Sequence, residues 1–224
     1  MLSASSHAYA PPLIGEIVWN PGSLFFKRGF DLIISGTLLF LFSPLLLLLA
    51  ILVSMDGGEV LFRQPRLGKE GRVFLCLKFR SMVLDSDAVL AKHFKAHPHL
   101  RLIWQTHRKL RGKDPRVTRL GAYLRRWSLD ELPQLINVFK GEMSLIGPRP
   151  ILLDEREIYG PSLTLYAQVR PGLTGLWQVR GRNEVSYRSR VRFDQWYIRH
   201  GSFRLDLYIL AQTVPAVLKH KGAY

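Results

Sequence analysis

Leu32-Ile33-Ile34-Ser35-Gly36-Thr37-Leu38-Leu39-Phe40-Leu41-Phe42-Ser43-Pro44-Leu45-Leu46-Leu47-Leu48-Leu49-Ala50-Ile51-Leu52-Val53 is the stretch whose reading decides the fold. It is 22 residues long and carries no charge. At about 1.5 Å rise per residue it makes a helix of about 33 Å, close to the thickness of a bilayer's apolar core. The alternative is a fully buried helix of a soluble core, for which the run is long. It is not the pattern of a secretory leader. It starts beyond residue 30, and no small-residue cleavage pattern follows Ser54-Met55-Asp56.

Ser43-Pro44 lies at the centre of the run. Pro44 has no N–H to offer the carbonyl of Phe40, so the helix must bend there. Ser43 is placed to back-bond to Leu39 and assist the bend. Basic residues flank both ends, Lys27 and Arg28 before and Arg63, Arg66 and Lys69 after. Positive flanks stay cytoplasmic. Two basic flanks favour a hairpin that enters the membrane and returns on one face, with Ser43 and Pro44 as the break. A tilted, kinked span is the alternative, since spanning helices tolerate proline. The sequence alone leaves both open.

The 224 residues suffice for one ordinary domain plus an appendage. A formal net charge of +15 points to a polyanionic surface or substrate: nucleic acid, anionic lipid or phosphate esters. The single cysteine, Cys76, excludes an internal disulfide and fits a reducing compartment. The expected organisation is a loose N-terminus (1–22), a membrane element (23–55), and a catalytic domain (56–224) bearing interfacial amphipathic helices.

Within that domain, Glu59 to Phe79 reads as a β-hairpin. Val60-Leu61-Phe62 and Val73-Phe74-Leu75 are its strands, and Leu67 to Gly71 its turn. Asp85 to Leu110 reads as helix interrupted at Pro98. There Lys92, Lys95, Arg101, Arg108, Lys109 and Arg111 interleave with Leu90, Phe94, Leu102, Ile103 and Trp104. Such a helix suits an anionic leaflet, or is simply a solvated charged face. Ser128 to Phe139 is expected to be a helix ended by Lys140-Gly141. Ile151 to Tyr166, Glu184 to Ile198 and Leu205 to Leu218 are also expected to be helical. Arg170-Pro171-Gly172 and Thr174-Gly175 read as turns.

The chemistry concentrates in Leu124-Arg125-Arg126-Trp127-Ser128-Leu129-Asp130-Glu131-Leu132-Pro133-Gln134-Leu135 and in Gly147-Pro148-Arg149-Pro150. Ser128-x-x-Glu131 fits a capping box, in which Ser128 starts the helix and Glu131 reaches back to it. A second register puts Pro133 in the first turn. Capping does not account for adjacent carboxylates among arginines with a rigid Pro-Arg-Pro following. A carboxylate attacking phosphorus needs an ionised Asp, a cation to offset phosphate charge, and arginines on the other oxygens.

Lys27-Arg28-x-x-Asp31, Lys78-Phe79-Arg80-Ser81-Met82, Asp114-Pro115-Arg116-Val117-Thr118-Arg119, the Ser128–Leu135 segment, Gly147–Pro150 and Arg170-Pro171-Gly172-Leu173-Thr174-Gly175-Leu176-Trp177-Gln178-Val179 occur in this order. Together they resemble the bacterial sugar transferase family, the monotopic phosphoglycosyl transferases. The resemblance runs from about Phe26 to Tyr224. It is greatest to the short exopolysaccharide-production galactosyl- and glucosyl-phosphate transferases, which lack the extra spanning helices and N-terminal domain of larger relatives. One departure is Arg180, where a small polar residue is common.

The resemblance implies an α+β fold: a re-entrant helix-break-helix carrying a small, mostly helical catalytic domain with a β-hairpin, on the cytoplasmic face of the bacterial inner membrane. It implies transfer of a sugar 1-phosphate from a UDP-sugar, UDP-galactose or UDP-glucose, to polyprenyl (undecaprenyl) phosphate with release of UMP. Asp130 matches the nucleophile, Glu131 completes the dyad, and Mg²⁺ bound at both is the usual cofactor. Lys78, Arg80, Arg125 and Arg149, the last framed by Pro148 and Pro150, match substrate-binding positions. Asp194 and Asp206 match acidic positions for which capping or ion-pair roles serve equally well. Expected partners are the UDP-sugar, polyprenyl phosphate and the anionic inner leaflet, with no nucleic acid and a homodimer left open.

Other candidates carry less. His93 and His97 are one helical turn apart but lack carboxylate or cysteine partners for a metal. Gly172, Gly175 and Gly181 suit turns better than a phosphate cradle. Arg170 and Arg182 suit either a diphosphate or surface acids. Two rival functions are a basic membrane-tethered module that binds nucleic acid or anionic lipid without catalysis, and a glycosyltransferase that releases UDP. The first has no use for Asp130-Glu131 among its cations, since acids repel phosphate.

Overall fold

The computed structural model describes residues 21–107, 110, 114–180 and 186–218. Residues 1–20 of the expected loose N-terminus (1–22), with Arg108, Lys109, Arg111, Gly181, Arg182 and Glu184, lie outside these residues, whereas Pro21 and Gly22 already open a helix.

Two helices, α1 (Pro21–Leu41) and α2 (Ser43–Ser54), form the apolar element and bend by 62° at Phe42. Among the described residues no single helix is long and apolar enough to cross a membrane; the bent pair together is. Pro44 sits in the first turn of α2. The bend's hydroxyl bond differs from expectation: Ser43 Oγ donates to Phe40 at 2.7 Å, not to Leu39. It takes the carbonyl that Pro44 cannot reach. The reading as a buried soluble helix fails on exposure. Phe40 is 79% exposed, Leu47 64% and Met55 77%. Leaving such side chains in water forfeits about 1.5–3 kcal/mol each relative to burial. Leu49 and Val53 instead turn inward onto Phe79 and Leu124.

The Lys27-Arg28-x-x-Asp31 motif ties α1 to the body. Lys27 pairs with Asp206 at 2.5 Å. Arg28 donates to the carbonyls of Val138 (2.7 Å) and Phe139 (2.8 Å). Asp31, buried, accepts the Leu145 N–H at 3.0 Å. Arg28 thereby adds donors to carbonyls in the last turn of a helix, where the Gly141 N–H also reaches Val138 at 3.0 Å.

The hairpin is present, and its strands are longer than expected. β1 (Leu61–Leu67) pairs antiparallel with β2 (Val73–Phe79), from Leu61 opposite Phe79 to Leu67 opposite Val73. Helices α3 (Ser86–Ala96) and α4 (Pro98–His107) break at Pro98 as expected, and Phe94 meets Trp104 across them. A helix not foreseen, α5 (Arg119–Arg126), is capped by the Thr118 hydroxyl, which accepts the Gly121 N–H at 2.8 Å.

The expected Ser128–Phe139 helix is two pieces. Leu129–Glu131 is a single 3₁₀ turn, and α6 (Gln134–Lys140) follows Pro133. The capping box does not form, because Ser128 is left-handed (φ 56°) and makes no side-chain cap. Gly141 ends α6 at φ 87°, as Lys140-Gly141 promised.

Ile151 to Tyr166 is likewise not one helix. β4 (Ile151–Leu152) pairs with β1 through Leu67 and Arg66. A 3₁₀ turn, α7 (Arg156–Tyr159) and α8 (Ser162–Tyr166) follow, separated by Gly160 (φ 49°) and Pro161. Strands β3 (Ser144–Ile146) and β5 (Gly172–Thr174) form a separate parallel pair. Gly172 and Gly147 meet backbone to backbone there. A Cβ on Gly172 would fall 2.1 Å from the Gly147 nitrogen, so these glycines serve close approach. Helices α9 (Leu176–Arg180), α10 (Tyr187–His200) and α11 (Phe203–Leu218) complete the fold. The fold is mixed and mostly helical. Its main core gathers Leu135, Val138, Met143, Ile146, Tyr197 and Ile209 beneath α1.

Candidate active site

The 3₁₀ turn after α5 places Asp130 and Glu131 in different surroundings. Asp130 is 8% exposed. Glu131 is half-buried and accepts Lys78 Nζ from β2 at 2.6 Å. Burial would raise the Glu131 carboxyl, but the charges of Lys78, then Arg149 and Arg66, outweigh it and hold it below the usual range. Asp130 moves the other way. Burial first, then the Glu131 charge, raises it, and Lys78 and Arg125 only partly compensate. The two neighbouring carboxyls are thus pushed in opposite directions by their surroundings.

α6 fixes this turn against the hairpin. Asn137 accepts the Leu77 N–H at 3.0 Å and donates to Leu75 (2.8 Å) and Glu142 (2.7 Å). An asparagine thus supplies hydrogen bonds to one edge of β2. Its role was not legible from sequence, because its partners on β2 lie about sixty positions away.

The expected basic residues divide into two groups. Lys78, Arg125 and Arg149 all act on the dyad, Lys78 by contact and the other two through their charge. Arg125 is oriented by donating Nε to Ser81 Oγ at 2.8 Å. Arg80 is committed elsewhere. It donates to the carbonyls of Glu59 (2.7 Å) and Val53 (2.9 Å) and pairs with Asp56. It closes the end of α2 rather than meeting the carboxylates. Pro148 and Pro150 are buried. Their carbonyls accept Gly172 N (2.7 Å) and Arg66 Nη1 (2.8 Å), so they frame Arg149. Ser43 and Pro44 lie at the helix bend.

Asp206 serves as an ion-pair residue to α1 and also accepts the Tyr197 hydroxyl at 2.6 Å. Asp194 is buried under the Pro-Arg-Pro turn and accepts the Tyr159 hydroxyl at 2.7 Å. Its carboxyl is pushed up to about 7 by burial, against the pull of Tyr159 and Arg149. Stability drawn from protonated Asp194 is complete below its unfolded pKa of about 3.9 and is lost as pH rises through about 7. Asp194→Asn should remove that loss, which is on the order of a few kcal/mol. Melting from pH 4 to 8 should show the wild type losing ground to the variant as pH rises. Parallel curves would show that Asp194 is already ionised at acid pH.

His93 and His97 approach at 4.8 Å between ring centroids, and among the described residues no group of three metal-binding side chains exists. The hard oxygen pair Asp130-Glu131 still suits Mg²⁺. That ion is commonly held by one or two carboxylates together with substrate phosphates rather than by a full protein cage.

The chain belongs to the bacterial sugar transferase family, whose profile matches residues 22–220. It is 47% identical over 223 residues to the exopolysaccharide production protein ExoY of Rhizobium meliloti, covering 99% of this chain and 97% of that one. It is 46% identical over 202 residues to the undecaprenyl-phosphate galactose phosphotransferase of Salmonella typhimurium, covering 90% of this chain. It is 48% identical over 198 residues to an uncharacterized sugar transferase of Haemophilus influenzae, covering 88% of this chain. The chain spans 42% of the length of each of these last two relatives.

Proposed function

We propose that this protein transfers a sugar 1-phosphate from a UDP-sugar to polyprenyl phosphate and releases UMP. The observation that carries this is Asp130. It is a buried carboxylate beside an ion-paired Glu131, with the charges of Lys78 and Arg125 acting on it. The Salmonella relative's name joins undecaprenyl phosphate to galactose phosphate transfer, which supports the same substrate classes here.

In the first step an Asp130 oxygen attacks the β-phosphorus of the donor. The bond from that phosphorus to the UMP oxygen breaks, and UMP leaves with the electron pair. In the second, an oxygen of polyprenyl phosphate attacks the same phosphorus, and Asp130 departs as a carboxylate. Lys78, Arg125 and Arg149 hold phosphate oxygens whose charge grows as these bonds change. Asp130 and Glu131 are the residues that would hold Mg²⁺, which when bound offsets phosphate charge. The released nucleotide is the test. Enzyme in membranes with polyprenyl phosphate and a panel of UDP-sugars should yield UMP; UDP would mean ordinary glycosyl transfer.

In this reading the bent pair α1–α2 is re-entrant in the bacterial inner membrane, with the catalytic domain on the cytoplasmic face. The basic flanks support it. So does Arg80, which ties the end of α2 to the hairpin carrying Lys78. Cysteines placed singly at Ser23 and Ser54, in a Cys76→Ser background, should both resist impermeant thiol reagents in intact cells. Periplasmic labelling at Ser23 would establish a spanning helix.

A further inference from the structure

We propose that Arg190 and Trp177 join Arg149 in a wall that binds a phosphate monoester, and that UMP's phosphate and the lipid acceptor's phosphate occupy it in turn. This rests on the two-step transferase reading. Three elements converge on one indole. The Arg149 guanidinium, from the Pro-Arg-Pro turn, lies 5.8 Å from the Trp177 ring centroid, and that of Arg190, from α10, lies 4.6 Å away. Trp177, on α9, is 3% exposed, and its Nε1–H has no partner among the described residues. Stacking on a buried ring holds both guanidiniums in place before a ligand arrives. Arg66 stands behind them. It is 5% exposed, fixed to Pro150 and Gln64, with its Nε unpartnered among the described residues.

The nearby acids have partners of their own. Asp194 accepts from Tyr159, and Glu155 accepts the Leu152 N–H at 2.6 Å. Neither Arg66 nor Arg149 pairs with a carboxylate among the described residues. Burial first, then the Arg149 charge, lowers both Arg66 and Arg190, while Glu155 pulls each of them the other way, so negative charge stabilises this group. Two planar forks suit the oxygens of a phosphate. The Arg149 charge also reaches Glu131, which puts the wall beside the dyad.

Chemistry then makes the site shared. In an in-line displacement the entering and leaving oxygens lie on opposite sides of phosphorus. UMP leaves opposite Asp130. The lipid phosphate must later enter opposite the bond to Asp130, on the side that UMP vacated. One wall therefore serves both phosphates.

The test uses full-length enzyme in detergent or membranes. Titration with UMP alone should show Arg190→Gln binding about ten- to a hundredfold more weakly than wild type, the effect of losing a charged hydrogen-bonding group. Arg190→Lys, which keeps the charge but not the fork, should fall between and covers the case in which Arg190→Gln fails to fold. In turnover the KM values for UDP-sugar and for polyprenyl phosphate should both rise. Unchanged UMP affinity in both variants overturns the wall. Weakened UMP binding with an unchanged KM for polyprenyl phosphate overturns the shared use. Wild type that releases no UMP from any UDP-sugar, yet binds UMP in an Arg190-dependent way, would remove the transferase reading and leave the wall standing.

Discussion

Asp130→Asn is expected to abolish both turnover and the early release of UMP. If Asp130 is the nucleophile, wild-type enzyme mixed with UDP-sugar and Mg²⁺ should release UMP in a burst before any lipid acceptor is added. Steady-state kinetics should be ping-pong. An amide in place of the carboxylate has no oxygen basic enough to attack phosphorus. The change is nearly isosteric, so the 3₁₀ turn and its bonds to α5 and α6 should survive, and melting should show this. Glu131→Gln should also be severely impaired, because it breaks the 2.6 Å pair with Lys78. A trace of burst there would mean that Glu131 only positions a metal. The pH profile carries its own check. Burial raises Asp130 above the ordinary carboxylate range, so the burst rate should decline on the acid side at a pH higher than a free aspartate would give. Direct attack by the lipid phosphate, with Asp130 as base or metal ligand, requires both substrates together. A lipid-free preparation yielding neither UMP nor enzyme labelled with sugar phosphate would sink the covalent step.

The parts of this site that were legible in the sequence are those encoded locally. An uncharged run interrupted by Ser-Pro can do little besides bend in an apolar setting, and it does. Asp130-Glu131 among arginines announces chemistry because capping needs only one acid. Local signatures failed where neighbouring structure overrode them. Ser128-x-x-Glu131 has the letters of a capping box, but the unforeseen α5 ends in a turn whose Ser128 N–H bonds to Arg125, and this drives Ser128 left-handed. Ile151-Leu152 looks helical until β1 offers it a strand edge. Arg80 reads as a phosphate ligand from its place beside Lys78. In the fold its guanidinium meets the Val53 carbonyl at the end of α2, while Lys78 reaches Glu131. The ties that hold the site together were out of reach for a different reason. Lys27 to Asp206 spans most of the chain, and Trp177 gathers arginines from two other elements. Only the folded chain reveals such pairings.

Arg149→Ala should lower kcat/KM by about a hundred- to a thousandfold, the usual cost of losing one preorganised group at a charge that develops during reaction. The fold should remain, and the reason lies in how the turn is built. Pro148 and Pro150 fix its backbone, and their carbonyls are held by Gly172 and Arg66 without help from the Arg149 side chain. That side chain forms no carboxylate pair among the described residues, so removing it breaks no ion pair, and buried Asp194 loses the pull of its charge but keeps the Tyr159 hydroxyl. What is lost is a cation already in place when a phosphate docks, which spares the ordering cost a flexible arginine would carry. Melting should therefore stay near wild type while turnover collapses. A second signature separates this from a general loosening. Arg149 helps hold Glu131 below the ordinary range, so the Glu131 carboxyl should titrate at a higher pH in the variant than in wild type. Arg149→Lys should recover part of the rate, since it restores a point charge without the planar fork. Near wild-type kcat/KM in Arg149→Ala would make Arg149 a structural residue and move the nucleotide site elsewhere.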